Sequence, residues 1–122
     1  MTLLVLLLAQ GCYTPQGYSH QIANGYCVRL QECDKGDFED EFHDMEDCID
    51  ETLEVLEPVA ECSMDEKCEF DGEEAAECDE AIRTSDCDDF SDRDYWGDCD
   101  DIWDCDAGDR DDVAECIWDE TN

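Results

Sequence analysis

Eleven cysteines, two histidines and 39 acidic residues carry nearly all the chemistry this 122-residue chain can offer. The cysteines set the strongest constraint. No two of them are separated by two or three residues. That spacing excludes zinc ribbons, thioredoxin-like redox sites, haem attachment and ferredoxin clusters together. What recurs is a pair with five residues between, at Cys27/Cys33, Cys62/Cys68 and Cys99/Cys105. Disulfide bonding is the chemistry expected of them. His43 has Glu39 and Asp47 one helical turn away on either side, a set that can ligate a metal, although a solvated helix-face histidine is the expected role. His20 has no partner by sequence. There is no Gly-x-Ser-x-Gly and no phosphate-cradling glycine loop. With 39 carboxylates, any acidic pair of the glycosidase kind is uninformative. The expectation is a protein that is not an enzyme and uses no cofactor.

Calcium is the one ligand with a pattern. Asp104-x-Asp106-x-Gly108 leads to Glu115 at the twelfth position, which resembles an EF-hand loop. Asp109 stands at the sixth position, where that loop needs Gly, and Asp111 stands at the usually apolar eighth. Weak calcium binding at Asp104, Asp106 and Glu115 is therefore the metal expectation, set beside diffuse cation binding by crowded carboxylates.

Six basic residues against 39 acidic ones give a net charge of −33. A phosphate backbone is repelled by such a chain, so a nucleic-acid partner is excluded. Direct adhesion to an anionic lipid surface is disfavoured for the same reason. Most of the charge is expected on a solvated outer surface.

Residues Leu3 to Ala9 are continuously apolar. As a helix they rise only about 10 Å, too short for a bilayer but suited to the core of a secretory signal. The run ends in Ala9-Gln10-Gly11-Cys12. Small residues ahead of a cysteine resemble the lipobox of bacterial lipoproteins. That resemblance implies cleavage before Cys12, a diacylglycerol on its thiol, and attachment to the membrane through that lipid. Tyr13, rather than Asp, follows, which by the same resemblance implies the outer membrane. Ala9-x-Gly11 also satisfies an ordinary signal peptidase, which leaves simple secretion as the alternative. Parity bears on the choice, because setting Cys12 aside leaves ten cysteines, Cys27 to Cys116. The expected organisation is a signal over 1–11, a lipid-anchored tether over 12–19 and an acidic Cys-rich helical domain over 20–122.

The elements that must position the cysteines follow from a repeat. After the second cysteine of each pair come an acid, one or two spacers, Gly and another acid: Cys33-Asp34-Lys35-Gly36-Asp37, Cys68-Glu69-Phe70-Asp71-Gly72-Glu73 and Cys105-Asp106-Ala107-Gly108-Asp109. A third cysteine closes each unit, at Cys48, Cys78 and Cys116, and Cys87 stands outside the scheme. The spacing predicts helix, Gly turn, helix, with left-handed glycines at Gly36, Gly72 and Gly108 and the following acid at the next helix N-terminus. Phe38, Phe42, Met45, Ile49, Leu53 and Leu56 form one stripe at helical period, expected to end at Pro58. Trp96, Trp103 and Trp118 are expected in the core of the third hairpin. Residues equidistant from each turn give Cys62–Cys78, Cys99–Cys116 and, less symmetrically, Cys27–Cys48 as bridges. Cys33, Cys68, Cys87 and Cys105 allow three pairings, all left open.

Only 16 of the residues from Tyr13 to Asn122 are Leu, Ile, Val or Phe. With this charge, such a composition alone predicts disorder. Five bridges at roughly 3 kcal/mol each can offset a thin core, so a folded domain is expected. The fold class is therefore all-α, a small disulfide-rich helical domain of about three helical hairpin repeats. The rhythm Tyr26-Cys27-x5-Cys33, then Phe, then Cys, with Cys78-x-x-Ala81 and Cys87 nine residues on, resembles the Cys-rich, largely helical lipoproteins of myxobacteria and their relatives. The resemblance implies no functional residue. The functional expectation is a non-enzymatic, lipid-anchored envelope protein in a structural or interaction role, with a protein partner unspecified; the alternative is low-affinity divalent-cation binding.

Overall fold

A computed structural model describes residues 13–93, 96–99 and 101–121. Its helices are α1 (Tyr18–Cys33), α2 (Lys35–Glu41), α3 (Met45–Asp65), α4 (Gly72–Thr84), α5 (Cys87–Asp92), α6 (Trp96–Cys99) and α7 (Ala107–Thr121). Two-residue strands β1 (Glu69–Phe70) and β2 (Trp103–Asp104) form an antiparallel ribbon, with Glu69 opposite Asp104 and Phe70 opposite Trp103. The domain is all-α and disulfide-rich, as the cysteine and helix patterns predict.

Helix α1 is the centre of the packing and meets both α3 and α4. It buries Tyr18 and Ile22 against Ala60, Ala75, Cys78 and Ile82 of those helices, and Ala23 is buried beside them in sequence. A smaller cluster joins Cys27, Phe38 and Cys48. Both cores are thin, and six of the buried apolar residues are half-cystines or alanines at 1% exposure or less: Ala23, Cys27, Cys48, Cys62, Ala75 and Cys78. Cross-links and small side chains thus fill space that larger apolar residues occupy in an ordinary domain.

The repeated acid–Gly motif marks the start of helices rather than turns between them. Gly36 and Gly108 are second residues of α2 and α7, and Gly72 is the first of α4. No described glycine has positive φ; the left-handed positions are Lys67, φ 60°, and Arg93, φ 62°. The acid before Gly72 is the working cap: Asp71 Oδ1 accepts from the backbone N–H groups of Glu73 and Glu74 at 3.0 and 3.2 Å. Asp37, Glu73 and Asp109 then sit in first turns, where negative charge suits the helix dipole.

Two helix boundaries differ from expectation. The stripe from Phe38 to Leu56 is broken between α2 and α3, because Phe42 is extended and Asp44 caps α3 by accepting from Asp47 N–H at 2.9 Å. Pro58 lies inside α3 instead of ending it. An interior proline costs on the order of 3 kcal/mol. Burial of Ala60, Cys62 and Ser63 in the next turn and the covalent tie at Cys62 offset that cost.

The bridges are Cys27–Cys48, Cys33–Cys87, Cys62–Cys116, Cys68–Cys105 and Cys78–Cys99. Unit one closes on itself as predicted. Cys62–Cys78 and Cys99–Cys116 do not form, because units two and three cross over each other and exchange partners. Helix α7 lies on α3 and α6 on α4, so the third cysteine of each unit faces the first cysteine of the other.

Candidate functional site

The predicted tether is part of the domain over the described residues. Thr14 carbonyl accepts from the N–H groups of Gly17 and Tyr18 at 3.2 and 3.0 Å, which folds the chain into α1. Tyr18 and Ser19 are buried, and His20 is an exposed residue of α1. Tyr13 donates its hydroxyl to Asp79 Oδ2 at 2.8 Å. Asp79, in α4, is 5% exposed, and its Oδ1 accepts from Arg83 Nε at 2.9 Å. Gly25 completes this junction: a Cβ there would come within 2.8 Å of Asp79 Oδ1 and 3.1 Å of Arg83 Nε. Helix α1 therefore lies close against the Asp79–Arg83 ion pair, and a side chain at position 25 would force the Asp79 carboxylate to shift. Cys12, the predicted lipidation site, and the signal over 1–11 lie outside the described residues.

A surface groove of about 490 Å³ runs beside the two-stranded ribbon. Glu69, Asp71, Glu74, Asp101 and Asp104 supply carboxylates, Phe70 and Trp103 supply rings, and Arg110 supplies the one cation of the lining. The aromatic wall is fixed from behind. Phe70 and Trp103 lie 5.2 Å apart, Tyr18 is 5.2 Å from Phe70, and Trp103 Nε1 donates to Tyr18 Oη at 2.7 Å. Burial raises the Tyr18 hydroxyl's pKa, against the lowering effect of its bond with Trp103, so Tyr18 stays a neutral acceptor. Arg110 Nε donates to Cys105 carbonyl at 3.2 Å. Glu74 is raised from its ordinary pKa by desolvation first and then by the charges of Glu77, Asp101, Asp71 and Glu73. This groove suits positive charge, and each cation it takes relieves carboxylate repulsion.

The predicted calcium ligands fall on three successive parts of the chain. Asp104 is in β2, Asp106 precedes α7, and Glu115 is an exposed residue further along α7. Their carboxylates are not among the described groups that converge within 4.8 Å, whereas Glu66, Asp109 and Asp112 do converge. Glu66 caps the end of α3, and the other two occupy the start of α7, which packs on α3. Sequence spacing could not find this set, since one ligand lies in a different repeat unit. Cys62, Cys116 and Glu120 also approach one another, but the two sulfurs are joined in a bridge. Asp47 accepts from the backbone N–H of His43 at 3.1 Å, and His43 is exposed in the break between α2 and α3. Trp103 reaches the core edge, Trp118 is 66% exposed, and the side chain of Trp96 lies outside the described residues.

No family model, curated protein or solved structure matches this chain. Five disulfides are the mark of a chain matured in an oxidising, extracytoplasmic compartment. Among the described residues no helix is long and apolar enough to cross a membrane.

Proposed function

We propose that this chain is a non-enzymatic envelope protein, held at the outer membrane by lipid on Cys12, with a structural or interaction role. One observation carries the reading. The five bridges use every cysteine from Cys27 to Cys116, so Cys12 has no cysteine partner left within the chain. An unpaired cysteine after small residues and an apolar run suits acylation. Tyr13 adjoins Cys12 and is bonded to Asp79, which suits a domain carried close to a lipid on Cys12. The acidic groove is then the interaction surface, and its charge suits a basic segment of a partner protein. Metabolic labelling with a fatty acid tests the anchor: label on the native protein and none on Cys12→Ala is expected, and an unlabelled native protein contradicts it.

A second reading, divalent-cation binding, is favoured by the convergence of Glu66, Asp109 and Asp112. Calorimetric titration with calcium separates the two. A stoichiometric heat lost in Glu66→Gln supports cation binding, and weak heat that salt removes speaks against it.

A further inference from the structure

The five bridges differ in how far they stand from solvent. Cys27–Cys48 has both residues buried, Cys62–Cys116 and Cys78–Cys99 each have one buried and one half-buried, and Cys68–Cys105 has two half-buried. Cys33–Cys87 alone has an exposed member, Cys87, opposite a half-buried Cys33. It also does a different job from the others. It ties the last residue of α1 to the first of the six-residue α5, and Cys87 falls outside the three-unit repeat. Beside this bridge, Phe90 of α5 is buried against Tyr26, with ring centroids 5.6 Å apart, and Arg29 of α1 donates to the Ser85 carbonyl just before α5.

We infer that Cys33–Cys87 is a thiol–disulfide exchange site that reacts at Cys87 with a cationic thiol, while the other four bridges are structural. Exchange requires a thiolate to approach a disulfide sulfur, and Cys87 is the more exposed residue of the two. A bond forms between the incoming sulfur and Cys87 Sγ as the Cys33–Cys87 bond breaks. The electron pair of that bond leaves with Cys33 Sγ, which takes a proton from solvent. A second molecule of the same thiol then attacks the mixed disulfide, releasing Cys87 as a thiol and a small-molecule disulfide. The two external thiols are oxidised and the protein bridge is reduced, so the electrons balance.

Charge selects the thiol. Asp86, Asp88 and Asp89 flank Cys87, and Glu32 and Asp34 flank Cys33. Of the cations on these elements, Arg29 is paired with Glu32 at 2.9 Å, Lys35 lies 3.9 Å from Glu39, and Arg93 stands at the far end of α5 from Cys87. An anionic thiol is repelled by this neighbourhood and a cationic aminothiol is drawn in. Because the surface is exposed, salt removes the preference.

The test uses the native, oxidised protein. It is exposed to cysteamine under limiting conditions, trapped with iodoacetamide and mapped by mass. The expected first product carries label on Cys33 and Cys87 with the other four bridges intact. At equal thiolate concentration and low salt, cysteamine should react about tenfold faster than 3-mercaptopropionate, and the ratio should fall toward one at 1 M salt. A Cys33→Ser/Cys87→Ser variant should lack this fast phase. Label appearing first at any other pair, or equal rates for the two thiols at low salt, overturns the inference, and both readings come from the native chain.

Discussion

Cys62 of the second repeat unit is bonded to Cys116 of the third, and Cys78 of the second is bonded back to Cys99 of the third. The exchange is reciprocal, first cysteine to third and third to first, with Cys68–Cys105 joining the two middle positions. The β1–β2 ribbon lies beside that middle bridge, so backbone pairing and cross-links follow one symmetric pattern. Unit one, by contrast, closes through its own Cys27–Cys48. Unit one has enough apolar surface to close alone, with Phe38, Phe42, Met45 and Ile49 around its bridge. Unit two has chiefly Ala75, Cys78 and Ile82, and it is completed by α1 and by Ile102 from unit three.

The first prediction is this connectivity. A non-reduced peptide map should recover Cys62–Cys116 and Cys78–Cys99, and peptides joined as Cys62–Cys78 or Cys99–Cys116 would restore self-closing hairpins. Because Cys68–Cys105 already shortcuts the 54-residue span between Cys62 and Cys116, replacing both with Ala should cost about 3 kcal/mol, measured by denaturant unfolding. Full reduction should unfold the chain, since its cores hold few large apolar side chains.

Gly25→Ala should destabilise the fold despite alanine's higher helix propensity. Propensity gains about 1 kcal/mol, but the added methyl meets the Asp79 carboxylate, which is pinned by Tyr13 and Arg83. A net loss of about 1–2 kcal/mol is expected. Tyr13→Phe removes only the hydroxyl donated to Asp79 and should cost about 1 kcal/mol. Thermal unfolding reads both, and a Gly25→Ala protein more stable than the parent contradicts the close approach.

Stability should rise as pH falls from neutral toward the carboxylate range. Asp37 is raised by its hydrogen bond with Asp34, then by Asp34's charge, slight desolvation, and Glu41 and Asp40; Glu74 is raised by desolvation and then its four neighbours. A carboxyl raised in the folded state binds more protons folded than unfolded, so stability falls as pH rises from the ordinary carboxylate value through the raised one. Above that window the repulsion is fully present; below it the gain stops. Melting temperature at pH 5 should exceed that at pH 7.5, and 0.5 M salt should narrow the gap. A melting temperature that only falls on acidification contradicts this.

Much of the fold is legible in the sequence, and what is missed has specific causes. Helical periodicity finds the helical character of α2 and α3 but not the break at Phe42 between them, and parity finds ten paired cysteines. Pro58 misleads because local propensity is overridden by burial and cross-linking on its far side. The Gly motif misleads because Asp71 caps a helix start, while the left-handed turn falls to Lys67, which no composition rule marks. The bridges of units two and three are missed because equidistance from a turn assumes that each hairpin folds alone. The Glu66, Asp109 and Asp112 cluster is missed for the same reason, being built across units.

The intact mass of the protein isolated from native envelopes tests the central claim most directly. The account predicts a chain beginning at Cys12, heavier by a diacylglycerol and an acyl group, and lighter by the ten hydrogens of five disulfides. A chain of the same start with no lipid mass, or with a bridge count other than five, contradicts it.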